Sequence, residues 1–303
     1  VKCTNGCKNN IKYISNLSYI MNYCIEGAKH NSHIGNHSLP IYPTFQDDLE
    51  KFKQMIVSLE REKKGASFIH FGDGDYYFLK KIAIGSATPG RRALSIPYDN
   101  FDITPYRDGW AKADYHCVEY LEHGIPDNLR ELYPDQPTIA TEFLYGLLMN
   151  RWFLRTFNGK IGLIGAGDKL DIIKELMNYT EYRNYLGITK INDYIKIPQR
   201  FACDDLNETI RMVKEQLEQS NDETFVFLFG VGHVKSGLIH HLPKFKNAIY
   251  LDVGAGIDGL AGLIDPDRPY AGDWVNYRMR NYNYDHIDLL HYNIQNDRHL
   301  KWL

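Results

Sequence analysis

The sequence predicts an α/β fold, Rossmann-like, with a largely parallel sheet and helices on both faces; three segments carry that expectation. Two of them share one pattern of apolar strand, glycine turn and helix: KIGLIGAGDKLDIIKELM at 160–177 and TFVFLFGVGHVKSGLIHHL at 224–242. The third, SFIHFGDGDYYFLKKIAIG, reads as a strand from Ser67 to Phe71, a break at Gly72 and Gly74, and a helical run from Tyr76 to Ile84.

Residues 1–44 are rich in Asn, Ser, His and Tyr and read as an arm, with one weakly periodic segment from Ile11 to Ile25. From Thr44, a plausible N-cap, the apolar residues Phe45, Leu49, Phe52, Ile56 and Leu59 recur at helical spacing, and this helix is expected to end near Gly65. After Ile84 come a proline- and aromatic-rich loop over Ser86 to Pro105, a helix from Gly109 to His123, the turn Gly124–Asn128 and a helix from Thr138 to Thr156. Between the two strand-turn-helix units lie a short apolar segment, Tyr194 to Ile197, and an amphipathic helix, Asp204 to Gln219. A last strand, Ala248 to Val253, leads into the glycine-rich Gly254–Gly262. The expected organisation is an arm over 1–44, an α/β domain over 45–275 and a polar C-terminal extension over 276–303.

Composition narrows the function classes. The 303 residues carry a net charge of −3 and are 44% hydrophobic, which fits a soluble globular chain and gives no positive excess to hold a polyphosphate backbone. Nucleic acid is therefore not an expected partner. No run of about 18 apolar residues marks a membrane span, and the N-terminus has no signal-peptide core. The expected compartment is the cytoplasm, that of the host if the source is a virus. A start at Val1 rather than Met is read as a processed chain or a piece of a longer polypeptide. Cys3, Cys7, Cys24, Cys117 and Cys203 are odd in number and scattered, as free thiols in a reducing compartment are. Cys3, Cys7 and Cys24 with His30, His33 and His37 leave a zinc site in the arm as an open alternative.

The chemistry-bearing residues fall at strand ends, where ligands of such sheets gather. Asp73 and Asp75 flank one glycine directly after a strand and are candidate ligands of Mn²⁺ or Mg²⁺, hard ions that join carboxylates to substrate phosphates. Gly72 and Gly74 would let a diphosphate approach the backbone. Gly165 and Gly167, and Gly230 and Gly232 with His233, place glycine turns at helix mouths that favour an anion, although tight turns need glycine whatever they bind. Neither turn completes the dinucleotide fingerprint, and no phosphate-binding lysine loop or serine nucleophile elbow occurs. Arg91 and Arg92 form a candidate diphosphate clamp. His70 reads as a half-buried, hydrogen-bonded histidine. Tyr76, Tyr98, Phe101, Tyr106 and Trp110 are either stacking surfaces for a base or sugar, or core.

The segment SFIHFGDGDYYFL resembles the R-F-G-D-G-E segment of the GT-D-type glycosyltransferases, which carries that family's DXE motif. Further segments follow in the family's order: HGIPDNL at 123–129, an aromatic-rich helix around Glu142–Trp152, KIGLIGAGD, DYIKIPQRFACDDLNETI, FLFGVGHVKSGLI and YLDVGAGIDGLAG. They resemble, respectively, its Gly/Ile-Pro-Asp turn, its aromatic helix, its strand, its strand-Pro segment, its S-L-G-P-T-A turn and its D-I-G-H-I-D segment. The resemblance spans roughly Phe45 to Trp274. It departs at Asp75, where the family has Glu, at the extra residue before Asp258, and at the Gly230 turn, which lacks the family's proline.

What the resemblance implies is a GT-D-like, metal-dependent hexosyltransferase. It would move a sugar, glucose in the expected case, from a nucleotide-diphosphate donor such as UDP-glucose to a hydroxyl of a glycan or glycoprotein. Asp73 and Asp75 would hold the Mn²⁺ or Mg²⁺, and Asp252 or Asp258 would be the general base. Two alternatives stay open: an S-adenosylmethionine-dependent methyltransferase using Gly165 and Gly167, and a non-catalytic nucleotide-sugar-binding module.

Overall fold

The computed structural model describes residues 44–82, 93–119, 124–198, 200–263, 276–281 and 300–303. Among these, seven strands form one all-parallel sheet in the order β3-β2-β1-β7-β6-β4-β5. The strands are β1 (Ala66–Phe71), β2 (Tyr115–Val118), β3 (Ile139–Ala140), β4 (Ile161–Ala166), β5 (Asp193–Ile197), β6 (Val226–Gly230) and β7 (Ile249–Asp252). Helices cover both faces, as the sequence predicts.

Each strand side chain goes to one of two cores by the period of two. Phe68, Leu163, Leu228 and Leu251 join one buried cluster, while Ile69, Phe71, Ile164, Phe227 and Tyr250 join the other. A sheet buried on both faces needs continuous apolar strands, which is why β1, β4, β6 and β7 read so clearly.

The first core is closed by α1 (Phe45–Arg61), α5 (Thr141–Met149), α6 (Trp152–Thr156), α7 (Gly167–Leu176), α8 (Thr180–Leu186) and α12 (Gly256–Leu260). Leu49, Phe52, Ile56 and Leu59 of α1 are at most 6% exposed, the stripe that its spacing predicts. The second core is closed by α2 (Asp73–Lys80), α3 (Thr104–Ala111), α4 (Ile125–Leu132), α9 (Leu206–Glu218), α10 (Lys235–Leu238) and α11 (Leu242–Phe245). Trp110, Phe78 and Leu238 are fully buried in it.

Several local expectations are corrected. The helix expected over Gly109 to His123 is α3 followed by β2, a strand of four residues too short for its period to show. The turn at Gly124–Asn128 opens α4, with Pro126 in its first turn, where its missing N–H costs nothing. The long helix from Thr138 is β3 and two helices, divided at Arg151, whose φ of 65° ends the α-helical path. Helix α2 begins at Asp73, ahead of the expected Tyr76, so both aspartates belong to its first turn.

At the C-terminal end the described residues form a second, two-stranded sheet. Asn276–Arg278 (β8) pairs in parallel with Leu300–Trp302 (β9), and Tyr277 is buried against Tyr182 and Tyr185. The arm's cysteine and histidine residues lie outside the described residues. No described helix is long and apolar enough to cross a membrane.

Candidate functional site

Parallel order brings the carboxyl ends of β1, β7 and β6 side by side, and the chain leaves them in different directions. After β1 and β6 it passes to the helices of the second core, and after β7 and β4 to those of the first. Adjacent strands whose connections diverge open a crevice at their carboxyl ends.

Helix α2 begins in this crevice. Asp75 is its third residue and reaches back to accept from the Gly72 N–H at 2.9 Å, half of a capping box that pins the turn to the end of β1. Asp75 is 5% exposed, whereas Asp73 faces solvent and accepts from the Gly74 N–H at 2.5 Å.

Between Asp75 and the sheet sits a buried lysine. The Lys235 ammonium lies 2.9 Å from Asp75 Oδ2, 2.9 Å from Asp252 Oδ2 and 2.7 Å from the His70 carbonyl oxygen. An ammonium has three N–H donors, and here three oxygens receive them. Asp252 is as fully engaged: its Oδ2 also accepts from the His70 N–H at 3.1 Å, and its Oδ1 from the Gly254 N–H at 3.1 Å.

Burial alone would raise the Asp75 pKa, but the Lys235 ammonium, with His233 beside it, more than offsets that and holds the carboxyl well below its usual range. For Lys235 burial acts to lower the pKa, and the Asp252 and Asp75 carboxylates more than offset it, raising the ammonium above its usual range. Because Asp75 is depressed, its stabilising contribution is present above its ordinary value of 3.8 and is lost as pH falls through the lower folded value. Because Lys235 is raised, its contribution is present below 10.5 and is lost only as pH rises through the higher folded value. Melting temperature should therefore fall on the acid side of 3.8 less steeply in Asp75→Asn than in the wild type. Identical acid limbs would remove this pair from the pH dependence.

A second set of groups lines the edge toward β2. His70 Nε2 lies 3.2 Å from Glu119 Oε1, and the Tyr145 hydroxyl donates to the same oxygen at 3.1 Å while lying 3.0 Å from His70 Nε2. The His233 ring stacks on Phe78 with centroids 4.7 Å apart, and its Nδ1 lies 3.5 Å from Asp75 Oδ1.

The expected site residues divide accordingly. Asp75, Asp252 and His233 come together, with Gly72 and Gly74 against them: a Cβ at Gly72 would meet His70 Nε2 at 3.0 Å, and one at Gly74 would meet His233 Cε1 at 3.3 Å. Asp252, expected as a general base, is 1% exposed and holds Lys235 in place. Asp258, the other expected base, is ion-paired to Lys169 of α7. Gly230 is a packing glycine, since a Cβ there would collide with the Gly254 carbonyl oxygen. Gly165 is similar, with Ile257 at 3.3 Å, whereas Gly167 has only Lys196 Cδ at 3.6 Å. Gly232 has φ +63° and nothing within 4 Å of the Cβ position, so its turn borders open space. Arg91 and Arg92 lie outside the described residues. Trp110 and Tyr106 are core, not stacking surfaces, and Phe101 is 8% exposed. Tyr76 and Tyr98 are partly exposed.

Glu119 and Tyr145 are the site residues that sequence reasoning did not single out. Lys235 stands with His233 among the polar groups that the sequence places at a strand end, and a lysine inside the apolar run V-K-S-G-L-I was the available signal that it is buried.

The Mn²⁺ or Mg²⁺ expected at Asp73 and Asp75 does not fit the residues as placed. Asp75 Oδ2 is already shared by Lys235 and the Gly72 N–H, and Asp73 is engaged with Gly74 in solvent. Among the described residues, no group of three or more His, Cys, Asp or Glu side chains is arranged to hold a metal ion. No family model, curated protein or solved structure matches the chain.

Proposed function

We propose that this chain is a glycosyltransferase that moves a hexose from a nucleotide-diphosphate donor, UDP-glucose in type, to a hydroxyl of a glycan or glycoprotein. The observation that carries the reading is the meeting, at the carboxyl end of a parallel sheet, of the acidic α2 turn with the glycine turn that follows β6, where Gly74 lies against His233 and Asp75 against Lys235. The GT-D-like order of segments supports it from the sequence side. The first turn of α7 at Gly167 and the open turn at Gly232 offer backbone N–H groups to a diphosphate, whose charge rises as it leaves.

In this proposal His233 is the general base, in place of Asp252 or Asp258. Its ring is held by stacking on Phe78, and its buried Nδ1 lies 3.5 Å from Asp75 Oδ1 without a hydrogen bond, so that acceptor binding would have to draw the two together. The acceptor oxygen bonds to the anomeric carbon as the bond from that carbon to the diphosphate oxygen breaks. The acceptor's proton passes to His233, and the electron pair leaves with the nucleoside diphosphate.

Calorimetric titration with UDP-, GDP- and dTDP-sugars and with S-adenosylmethionine tests the reading. A nucleotide sugar should bind, and His233→Gln should lower turnover about 10²–10⁴-fold with donor affinity kept. Binding of S-adenosylmethionine and of no nucleotide sugar would select the methyltransferase alternative. Donor binding without transfer to any glycan acceptor would select the binding module.

A further inference from the structure

We propose that Lys235 is the resident cation of this site, so that the Asp75 and Asp252 carboxylates serve an ammonium and not a divalent metal ion. The proposal goes beyond the glycosyltransferase reading and does not depend on it.

The oxygen cage has an ammonium's dimensions. Its three members stand 2.9, 2.9 and 2.7 Å from Lys235 Nζ, whereas Mg²⁺ demands oxygens at about 2.0–2.1 Å in near-octahedral array. The ammonium is also fully supplied with acceptors, because the three oxygens match its three donors and His70 Nδ1 stands 3.3 Å away beside them. Its oxygens are tied down separately. The Gly72 N–H holds Asp75 Oδ2 at 2.9 Å, the His70 N–H holds Asp252 Oδ2 at 3.1 Å, and the His70 carbonyl belongs to the backbone of β1. Contraction around a smaller ion would break these bonds. The side chains of Lys235 and Asp252 are 6% and 1% exposed, so the ammonium is dry, and exchange for a hydrated metal would require both carboxylates to open.

The consequence is that Asp75, one member of the pair that resembles a metal motif, already has a counter-ion within the chain, which it shares with Asp252. A lysine point charge on a flexible stem can occupy such a position, and an ion pair this buried is held only when both partners are well hydrogen-bonded.

Two measurements on the full chain test this. Mn²⁺ titrated into the wild type and followed by electron paramagnetic resonance should show no stoichiometric site that is sensitive to Asp75→Asn. One equivalent of bound Mn²⁺, lost in Asp75→Asn, would overturn the assignment. Lys235→Ala removes the propylammonium portion of the side chain, so n-propylammonium chloride should raise that variant's melting temperature by about 2–4 °C over equal NaCl, and MnCl₂ should not. Restoration by Mn²⁺ and not by the amine would overturn the assignment. The wild-type titration decides by itself if Lys235→Ala does not fold. A UDP-sugar affinity that requires Mn²⁺ acting through Asp75 would refute the resident ammonium while supporting the donor reading. A wild type that binds neither Mn²⁺ nor any nucleotide sugar would support the ammonium and refute the donor reading.

Discussion

Lys235→Met should destabilise the protein by about 3–5 kcal/mol, which corresponds to a melting temperature lower by roughly 6–20 °C. Methionine fills the space of the aliphatic stem but leaves Asp75 and Asp252, 5% and 1% exposed, facing each other without a countercharge. The loss reflects two stranded carboxylates more than the worth of the pair itself, since an ion pair taken out of water gains little net stability over a well-packed apolar replacement. Replacing all three groups together, Lys235→Met with Asp75→Asn and Asp252→Asn, should therefore recover part of the loss. Chemical denaturation of the wild type, the single variant and the triple variant checks this. A single variant as stable as the wild type would mean that the carboxylates reach water without Lys235, and the buried charge cluster would not hold as described.

Trp110→Ala should cost about 3–5 kcal/mol. The indole is fully buried, stacks on Tyr133 with centroids 4.3 Å apart, meets Phe71 edge-on at 5.6 Å and lies 4.4 Å from His116. It joins α3 to β1 and β2 from inside the second core, so its removal leaves a cavity that rigid strands cannot close. Urea unfolding should show the loss as a lower midpoint, with nucleotide affinity unchanged under conditions where the variant is folded. Normal stability combined with lost nucleotide binding would return Trp110 to a ligand-stacking role.

Local pattern carried the fold further than it carried the site. Strands β4, β6 and β7 announce themselves because burial on both faces demands unbroken apolar runs such as Ile161–Ala166. Helix α9 announces itself through its amphipathic pattern over Asp204 to Gln219, and the structure adds the cap, the Asp205 side chain accepting from the Glu208 N–H at 2.9 Å. Strand β2 does not, because Tyr115 and His116 interrupt a run of only four residues, and His116 is accommodated by hydrogen bonds to the Trp110 carbonyl and Gln136 that no pattern reveals. Helix α8 was invisible for a related reason: it is one short amphipathic turn pair anchored by Tyr182, whose hydroxyl donates to the Leu260 carbonyl of a distant helix.

At the site, the sequence marks Asp75 as important without giving the reason. An aspartate after a strand reads as a metal ligand when seen alone and as a lysine's partner when seen across the sheet. The difference lies with Lys235, which meets His70 at a separation of 165 positions and leaves no trace in the periodicity around either residue. The same holds for Asp252, which reads as a free carboxylate at a strand end until His70, 182 positions earlier, is placed beside it.

These separations also bear on when the site comes into being. Strand β1 is the first strand of the large sheet in chain order and its neighbour β7 the last, and the two are paired in register from Ala66↔Ile249 to Phe68↔Leu251. During synthesis Asp75 emerges long before the ammonium that will neutralise it, and Lys235 in turn precedes Asp252. No contiguous fragment shorter than the span from His70 to Asp252 contains the charge cluster, so closing the sheet and assembling the site are a single event. Contacts of such long range are also the slow ones to form, because the chain between them must be ordered first.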